Sequence, residues 1–394
     1  MIKRILEKKL KECARNYPVI LLTGPRQSGK TTLCRAVFPD KPYISFENPN
    51  NRDFAEKDPK GLLVKYDQGA IFDEIQRCPQ LLSYLQEIVD SSGKNGMYIL
   101  TGSQNLLLLK SVQQSLAGRV AILKLLPLSC EETRSLSKNE SWEKIIYSGF
   151  FPRVIDQKIN PTEAMRNYID TYVERDVRQI INVKRLSLFQ RFLKLCAGRV
   201  GQILNLSSIS NDLGVSHTTV REWLSVLEAS YLVYLLPGYY RNFNKRIIKA
   251  PKLYFTDTGL ACCLLGIEKA EHVSRDPLLG GLFENFVVIE ILKSFWSEGR
   301  TAPLYFFRDN IGNEIDVLIE QARNVIGVEI KAGQTVNSDW FKGLNYLDKV
   351  MKKAVLSRNL VYGGKEKYTR EGVTIFPYNE VHRLYKETFD LSNK

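Results

Sequence analysis

The sequence predicts an α/β protein whose first domain is a parallel sheet with flanking helices, and three observations support this. A short apolar run, Val19 to Leu22, has the length of a buried strand and leads through a glycine-rich loop to a helix start at Lys30. A second apolar run, within Gly69 to Gln76, ends in two acids. A third buried strand is predicted within Met97 to Asn105.

Length and composition predict the number of domains and the general class of protein. At 394 residues the chain is too long for one ordinary core, so two or three domains are expected. A hydrophobic fraction of 44% and a charged fraction of 25% are typical of a soluble globular protein. The formal net charge of +13 either attracts polyanions, such as nucleic acid or an anionic membrane surface, or reflects a basic, well-solvated surface.

Cysteine usage and apolar runs predict the compartment. The seven cysteines are scattered and show no CxxC zinc spacing, which favours a reducing cytosol. The first residues, MIKRILEKKLKECARNYP, lack the apolar core of a signal peptide, and no later run has the length of a membrane span. A cytoplasmic protein without membrane contact is therefore expected.

The stretch LLTGPRQSGKTTL, Leu21 to Leu33, has the pattern of a phosphate-binding P-loop. Gly24 and Gly29 let the backbone curl its N–H groups around phosphate oxygens, and the helix that follows adds its positive N-terminal end. Lys30 would reach the β- and γ-phosphates, and the Thr31 hydroxyl would complete a magnesium site. The alternative is a glycine-rich turn that binds nothing. With ATP and Mg²⁺ as cofactors, the predicted nucleotide contacts are Gly24, Pro25, Arg26, Gln27, Ser28, Gly29, Lys30, Thr31 and Thr32.

Polar residues follow the next two strands. Asp73 would hold the magnesium and Glu74 would polarise the attacking water, because ligands bind at the carboxyl edge of a parallel sheet. The alternative is an acid pair that caps a helix. After the third strand, either Ser103 or Gln104 would contact the γ-phosphate or the water. Arg119 either supplies positive charge to the transition state, from its own chain or a neighbouring subunit, or is an exposed structural arginine.

Five segments together carry a family resemblance: TGPRQSGKTTL, AIFDEIQ, YILTGSQN, SLAGRV and SGFFPRV. They resemble a large family of bacterial and archaeal AAA-type ATPases whose C-terminal half is a conserved region of unknown function. The resemblance covers nearly the whole chain. It implies Walker A roles for Lys30 and Thr31, Walker B roles for Asp73 and Glu74, a sensor role for Ser103 and an arginine-finger role for Arg119. The sensor position departs from the family, since it offers Ser or Gln instead of Asn.

The middle of the chain predicts helices followed by a winged helix-turn-helix. The stretch from Asn205 gives a short helix that ends near Leu213, a turn at Gly214 and a second helix capped by Ser216. If this module binds DNA, the second helix offers Ser216, His217, Thr218, Thr219 and Arg221, and the wing offers Arg241, Lys245, Arg246 and Lys249. The alternative is a lid that packs on the ATPase core and makes only protein contacts.

The last part of the chain predicts an amphipathic helix, Leu282 to Phe295, and three strands in LYFFRDN, NEIDVLIE and NVIGVEIKAG. Asp316 lies in the second strand, while Glu329 and Lys331 share one face of the third. This layout resembles the PD-(D/E)xK nuclease superfamily, with Glu284 on the preceding helix as the fourth acid. Two carboxylates would chelate Mg²⁺ beside a lysine. The alternative is a nuclease-like fold kept for binding, with a weak surface salt bridge between Glu329 and Lys331.

The expected architecture is therefore a P-loop ATPase core over 1–152, a helical and winged-helix segment over 153–267, and a restriction-endonuclease-like α/β domain over 278–394. Three functions stay open: an ATP-driven switch acting on or with nucleic acid, an ATP-gated metal-dependent nuclease, and a non-catalytic nucleotide sensor that binds protein partners. A small-molecule kinase fits less well, because no arginine-rich lid follows the P-loop. An arginine finger in trans would make the protein a homo-oligomer.

Overall fold

The computed structural model describes residues 2–102, 112, 115–136, 140–173, 186–239 and 250–390. The chain forms two compact units. The first consists of Met1–Leu128, Ala229–Tyr231 and Trp296–Arg300, and the second of Ser129–Glu228, Leu232–Phe295 and Thr301–Lys394. The division into three domains at about 152 and 267 stays a sequence-based prediction.

The first unit is built on a five-stranded, entirely parallel sheet in the order β2-β3-β4-β1-β5. The strands are β1 Val19–Thr23, β2 Tyr43–Ser45, β3 Ala70–Asp73, β4 Tyr98–Gly102 and β5 Val120–Lys124. The helices are α1 Leu6–Asn16, α2 Lys30–Val37, α3 Pro49–Lys57, α4 Pro59–Lys65 and α5 Leu81–Ser92, with a 3₁₀ turn at Ile75–Arg77. The predicted parallel sheet with flanking helices is confirmed.

Strand β1 shows why the sequence is continuously apolar at this point. Val19 and Leu21 pack in one hydrophobic cluster with residues of α5, while Ile20 and Leu22 pack in a second cluster with residues of α1. All five residues of the strand are buried. A strand covered by helices on both faces needs apolar side chains at every position, not at alternate ones.

The second unit begins with helices and a two-stranded antiparallel hairpin. The helices are α6 Cys130–Thr133, α7 Trp142–Ser148, α8 Pro152–Gln157, α9 Pro161–Tyr168, α10 Leu186–Ala197, α11 Leu206–Leu213, α12 His217–Ala229, α13 Thr258–Leu265 and α14 Ala270–Val273, with a π turn at Ile169–Val173. The hairpin pairs β6 Val233–Leu236 with β7 Lys252–Phe255. The turn after α11 lies at Gly214, whose φ is +66°, and Ser216 Oγ accepts a hydrogen bond of 3.1 Å from the Thr219 N–H.

A six-stranded mixed sheet completes the second unit, in the order β12-β13-β11-β10-β9-β8. Its strands are β8 Leu304–Arg308, β9 Glu314–Gln321, β10 Asn324–Lys331, β11 Val355–Tyr362, β12 Tyr368–Arg370 and β13 Val373–Pro377. The accompanying helices are α15 Leu279–Ser297, α16 Lys342–Met351 and α17 Val381–Asp390, and 3₁₀ turns lie at Ser338–Phe341, Lys352–Ala354 and Tyr378–Glu380.

The helix predicted as amphipathic over Leu282 to Phe295 is instead buried around its circumference. Its polar residues have partners inside the protein, which removes the need for a solvent-facing side. The Asn285 side chain bonds both the N–H and the carbonyl of Phe255, and Lys293 Nζ lies 2.8 Å from Glu290 Oε1. Among the residues that the structure describes, no helix is long and apolar enough to cross a membrane.

Candidate functional site

The loop between β1 and α2 has a backbone that requires glycine at its start. The φ angle of Gly24 is +151°, and a Cβ atom added there would lie 2.1 Å from the carbonyl oxygen of Leu125. Gly29, at the other end of the loop, has a φ of +92° and precedes the first residue of α2, Lys30. The predicted strand, loop and helix therefore follow one another as a P-loop requires.

Arg4 fixes this loop from outside the motif. Its guanidinium is buried and donates hydrogen bonds of 2.8 Å to the Ser28 carbonyl and 2.7 Å to the Leu126 carbonyl. The loop is thereby tied to the segment that follows β5. Arg4 could not be predicted from the sequence, because nothing in the local pattern separates it from the other basic residues of the N-terminal stretch.

Lys30 folds back over its own loop. Its Nζ donates to the carbonyls of Gly24 at 3.0 Å and Pro25 at 2.8 Å, and the side chain is buried. Burial lowers the pKa of Lys30 to about 8, although the carboxylates of Glu74 and Asp73 oppose this shift. A phosphate group near this amine would favour its charged form.

The Asp73 carboxylate accepts hydrogen bonds from hydroxyl groups on three elements. Thr31 Oγ1 donates to Asp73 Oδ1 at 3.1 Å, Tyr43 donates to Oδ2 at 2.6 Å, and the Thr101 hydroxyl also donates to Oδ1. Burial and the bond to Asp73 raise the pKa of Tyr43, so Tyr43 remains a donor. The structure thus brings Thr31 and Asp73 together, as predicted, and adds Tyr43 and Thr101, which sequence analysis missed.

The oxygen atoms of Thr31 and Asp73 fit a magnesium ion. Mg²⁺ prefers hard oxygen ligands and is held by one or two protein groups together with substrate phosphates and water. The two residues lie at the end of the P-loop and at the end of β3, on the same edge of the sheet. These two residues would hold the ion when a nucleotide is bound.

Glu74 follows β3 in the left-handed region, with a φ of +58°. Such a conformation is uncommon for a residue with a side chain and occurs often at functional sites. Burial raises the pKa of Glu74, with Arg26 and Lys30 acting in the opposite direction. The Gln76 amide donates a hydrogen bond to Glu74, which fixes the direction of the carboxylate.

Arg119 lies at the end of the sheet where the parallel strands begin, opposite the end that carries the P-loop. It precedes Val120, which pairs with Val19 at the start of β1, whereas the P-loop follows the end of that strand. Its guanidinium contacts the exposed Asp90 carboxylate, with Nη2 2.7 Å from Oδ2. The structure does not bring Arg119 to the P-loop of its own chain, so an arginine finger in trans stays a prediction.

Several other predicted residues lie outside the described ranges. They are Ser103 and Gln104 of the predicted sensor and Arg241, Lys245, Arg246 and Lys249 of the predicted wing. On α12 and its cap, the predicted nucleic-acid contacts Ser216, His217, Thr218 and Arg221 are exposed.

The four residues of the predicted nuclease-like site come together in the second unit. Lys331 Nζ lies 2.8 Å from Glu329 Oε2 and 3.2 Å from Asp316 Oδ2. The Glu329 side chain is buried, so this pair is not the surface salt bridge considered as an alternative. Glu284 is joined to the group through Lys252, which lies 2.8 Å from Glu284 Oε1 and was missed from the sequence. In the described part of the chain, no three His, Cys, Asp or Glu side chains form a group that could hold a metal ion.

The parallel sheet, the glycine-bounded loop and the Thr31–Asp73 contact define a P-loop nucleotide-binding protein. Family comparisons agree with this class. The model of an AAA domain matches residues 16–134, and models of two domains of unknown function, DUF8612 and DUF4143, match residues 139–271 and 279–381.

Relatives cover most of the chain. An uncharacterized protein of Mycobacterium tuberculosis is 32% identical over 329 residues, which are 83% of this chain and 73% of the relative, and one of Mycobacterium bovis gives the same values. The solved structure of a Walker-type ATPase of Pyrococcus abyssi covers 67% of this chain and 96% of that chain, at 16% identity and a TM-score of 0.44. The chain belongs to a family of AAA-type ATPases that carry a C-terminal domain of unknown function. This family supports nucleotide binding and hydrolysis as the general class of activity.

Proposed function

We propose that the chain binds ATP at Lys30 and Thr31, with Mg²⁺ held by Thr31 and Asp73, and hydrolyses it through Glu74. Hydrolysis then drives a conformational switch that acts on or with nucleic acid. The observation that carries the ATPase proposal is the contact of Thr31 with Asp73 beside the buried Lys30. A buried amine and paired oxygen ligands at the carboxyl edge of a parallel sheet suit a triphosphate and its metal.

Each residue has a separate role in this proposal. Lys30 exchanges the carbonyls of Gly24 and Pro25 for the β- and γ-phosphate oxygens of ATP. When bound, Mg²⁺ neutralises charge on the same phosphates. Glu74 accepts a proton from the attacking water, and its raised pKa makes it a better base than an ordinary glutamate.

Charge and exposure support nucleic acid as the target of the switch. The formal net charge is +13, which favours binding to a polyanion. The first five residues of α12 include exposed hydroxyl, imidazole and guanidinium groups, the types of group that contact bases and phosphates. Together with the hairpin that follows, this helix pair has the element order of a winged helix-turn-helix.

The test separates binding from turnover. Lys30→Ala should abolish nucleotide binding, whereas Glu74→Gln should retain it and lower ATP turnover by about a hundredfold or more, since a positioned general base contributes that much. Glu87→Gln, at an exposed position of α5, is the matched control and should behave as the parent. Equal loss of nucleotide affinity in the Lys30 and Glu74 variants would contradict the division of roles.

The same assay with DNA tests the target. Duplex and single-stranded DNA should increase ATP turnover by the parent, and the effect should decline as salt is added. If turnover is the same with and without DNA at low salt, nucleic acid is the wrong target. A chain that binds ATP and never turns it over would instead be a nucleotide sensor.

A further inference from the structure

The second unit contains a cluster of four acids from one helix and two strands. We name it the acidic cluster: Glu284 of α15, Glu314 and Asp316 of β9, and Glu329 of β10. Three of the four are the acids of the predicted nuclease-like site, for which the superfamily implies Mg²⁺. Whether these residues fit that ion depends on what their oxygen atoms already bind.

A lysine lies among these oxygens. Lys252 is the first residue of β7, and only 3% of its surface is exposed. Its Nζ lies 2.6 Å from Glu314 Oε1, 2.8 Å from Glu284 Oε1 and 3.9 Å from Asp316 Oδ1. The ammonium also lies over the ring of Phe306, 5.6 Å from its centre. One buried positive charge is therefore shared by three carboxylates from two elements.

Further donors form hydrogen bonds with two of these acids. Tyr254, also on β7, donates to Glu284 Oε1 at 2.6 Å. The Ile330 N–H donates to Asp316 Oδ2 at 2.8 Å, and Lys331 bonds the same oxygen. Glu284 Oε1, Glu314 Oε1 and Asp316 Oδ2 are thus already engaged by protein donors.

The ammonium stays charged in this setting. Burial by itself would lower the pKa of Lys252, but the carboxylates of Glu284, Asp316 and Glu314 outweigh burial and raise it. A divalent cation at the centre of the cluster would meet a fixed positive charge within a few ångströms, where like charges repel strongly. The residues therefore do not fit the Mg²⁺ that the superfamily implies.

We propose that the Lys252 ammonium takes the cation position of this nuclease-like cluster, so that the domain anchors strand β7 and does not bind a divalent metal for phosphodiester cleavage. The anchored strand is one half of the hairpin that carries the predicted wing. The domain then serves as a fixed base for that hairpin. This proposal is independent of ATP hydrolysis at Lys30 and Glu74.

Removing the ammonium should create the metal site. Lys252→Met deletes the charge and keeps most of the side-chain volume, so the full-length variant should bind Mn²⁺ at least about tenfold more tightly than the parent, as loss of a like charge a few ångströms away predicts. Free Mn²⁺ is measured by electron paramagnetic resonance in the absence of nucleotide. The gain should disappear when Asp316→Asn is added, which separates it from metal at the P-loop. Lys269→Met, at an exposed lysine, is the control and should show no gain.

Two further measurements test the proposal: the melting temperature with and without metal, and DNA cleavage by the parent. Mn²⁺ or Mg²⁺ should raise the melting temperature of Lys252→Met and not that of the parent. If Lys252→Met does not fold, the same measurements are made on Lys252→Gln. The parent should also leave duplex, single-stranded and branched DNA intact in either metal. Metal binding or DNA cleavage by the parent that depends on Asp316 would overturn the proposal. So would a failure of both Lys252 variants to bind Mn²⁺ more tightly than the parent.

Discussion

Replacing Arg4 tests how the nucleotide site is held from outside its motif. In Arg4→Met the two hydrogen bonds to the carbonyls of Ser28 and Leu126 are lost, while the aliphatic part of the side chain is largely kept. Each buried acceptor left without a partner costs about 1–3 kcal/mol, so with two acceptors the first unit should lose about 2–6 kcal/mol of stability. The melting temperature of the parent should exceed that of the variant by several degrees.

The same change should weaken nucleotide binding. The Ser28 carbonyl belongs to the loop whose N–H groups would bind phosphate, and a loop released from Arg4 must be ordered again on binding. Each 1.4 kcal/mol of that cost lowers affinity about tenfold. The measurements are titration of a fluorescent ATP analogue and a thermal melt with and without ATP.

Arg15→Met is the matched control, since Arg15 is an exposed residue of α1. It should melt and bind nucleotide as the parent does. If Arg4→Met behaves like this control in both assays, Arg4 does not hold the loop, and its two hydrogen bonds contribute little to stability or to nucleotide binding.

Three further changes have defined outcomes. The pKa of Lys30 is lowered to about 8 and phosphate favours its charged form, so nucleotide binding above pH 8 should take up a proton. Nucleotide affinity should therefore fall as the pH rises through 8 in the parent and stay constant in Lys30→Arg, whose side chain remains charged. An affinity of the parent that does not depend on pH would contradict this. Gly149→Ala should lower the melting temperature far more than Gly214→Ala, and equal losses by calorimetry would refute this. The φ angles are +64° and +66°, but Gly149 has a ψ of −163°, which only glycine adopts readily, and a Cβ there would lie 2.3 Å from Asp257 Oδ1, whereas Gly214 has a ψ of 35° in the left-handed helical region. If Arg119 acts in trans, mixing Arg119→Ala with Lys30→Ala chains should restore ATP turnover, whereas an inactive mixture of chains that still assemble would exclude it.

The arrangement of the candidate nucleotide site was predictable where its parts are contiguous in sequence. The strand, the loop and the helix start at Lys30 follow one another directly, and each has a local signature: an apolar run, glycines at 24 and 29, and a polar helix start. Asp73 was also predictable, since an acid at the end of a buried strand lies at the ligand-binding edge.

Residues that reach the site from elsewhere were not predictable. Tyr43 and Thr101 bond Asp73 because β2 and β4 flank β3, and this strand order is set by packing that no local pattern records. The burial of α15 was missed for a related reason: Glu290 and Lys293 imply a solvent-facing side, yet they bond each other inside the protein. A charged residue in a sequence predicts an exposed position only when no other residue of the protein pairs with it.

In the acidic cluster, too, one residue that the local pattern does not predict is decisive. Spacing along β9 and β10 correctly predicts that Asp316, Glu329 and Lys331 meet, because side chains two residues apart share a strand face. The same acids can surround a metal ion or a lysine, and the outcome depends on Lys252, which lies on β7, 32 residues before Glu284. A motif of carboxylates therefore specifies a site for positive charge without specifying which cation fills it. An inference of nuclease activity from the acids alone therefore overlooks Lys252. The buried ammonium of this residue determines whether the acids can bind a metal ion.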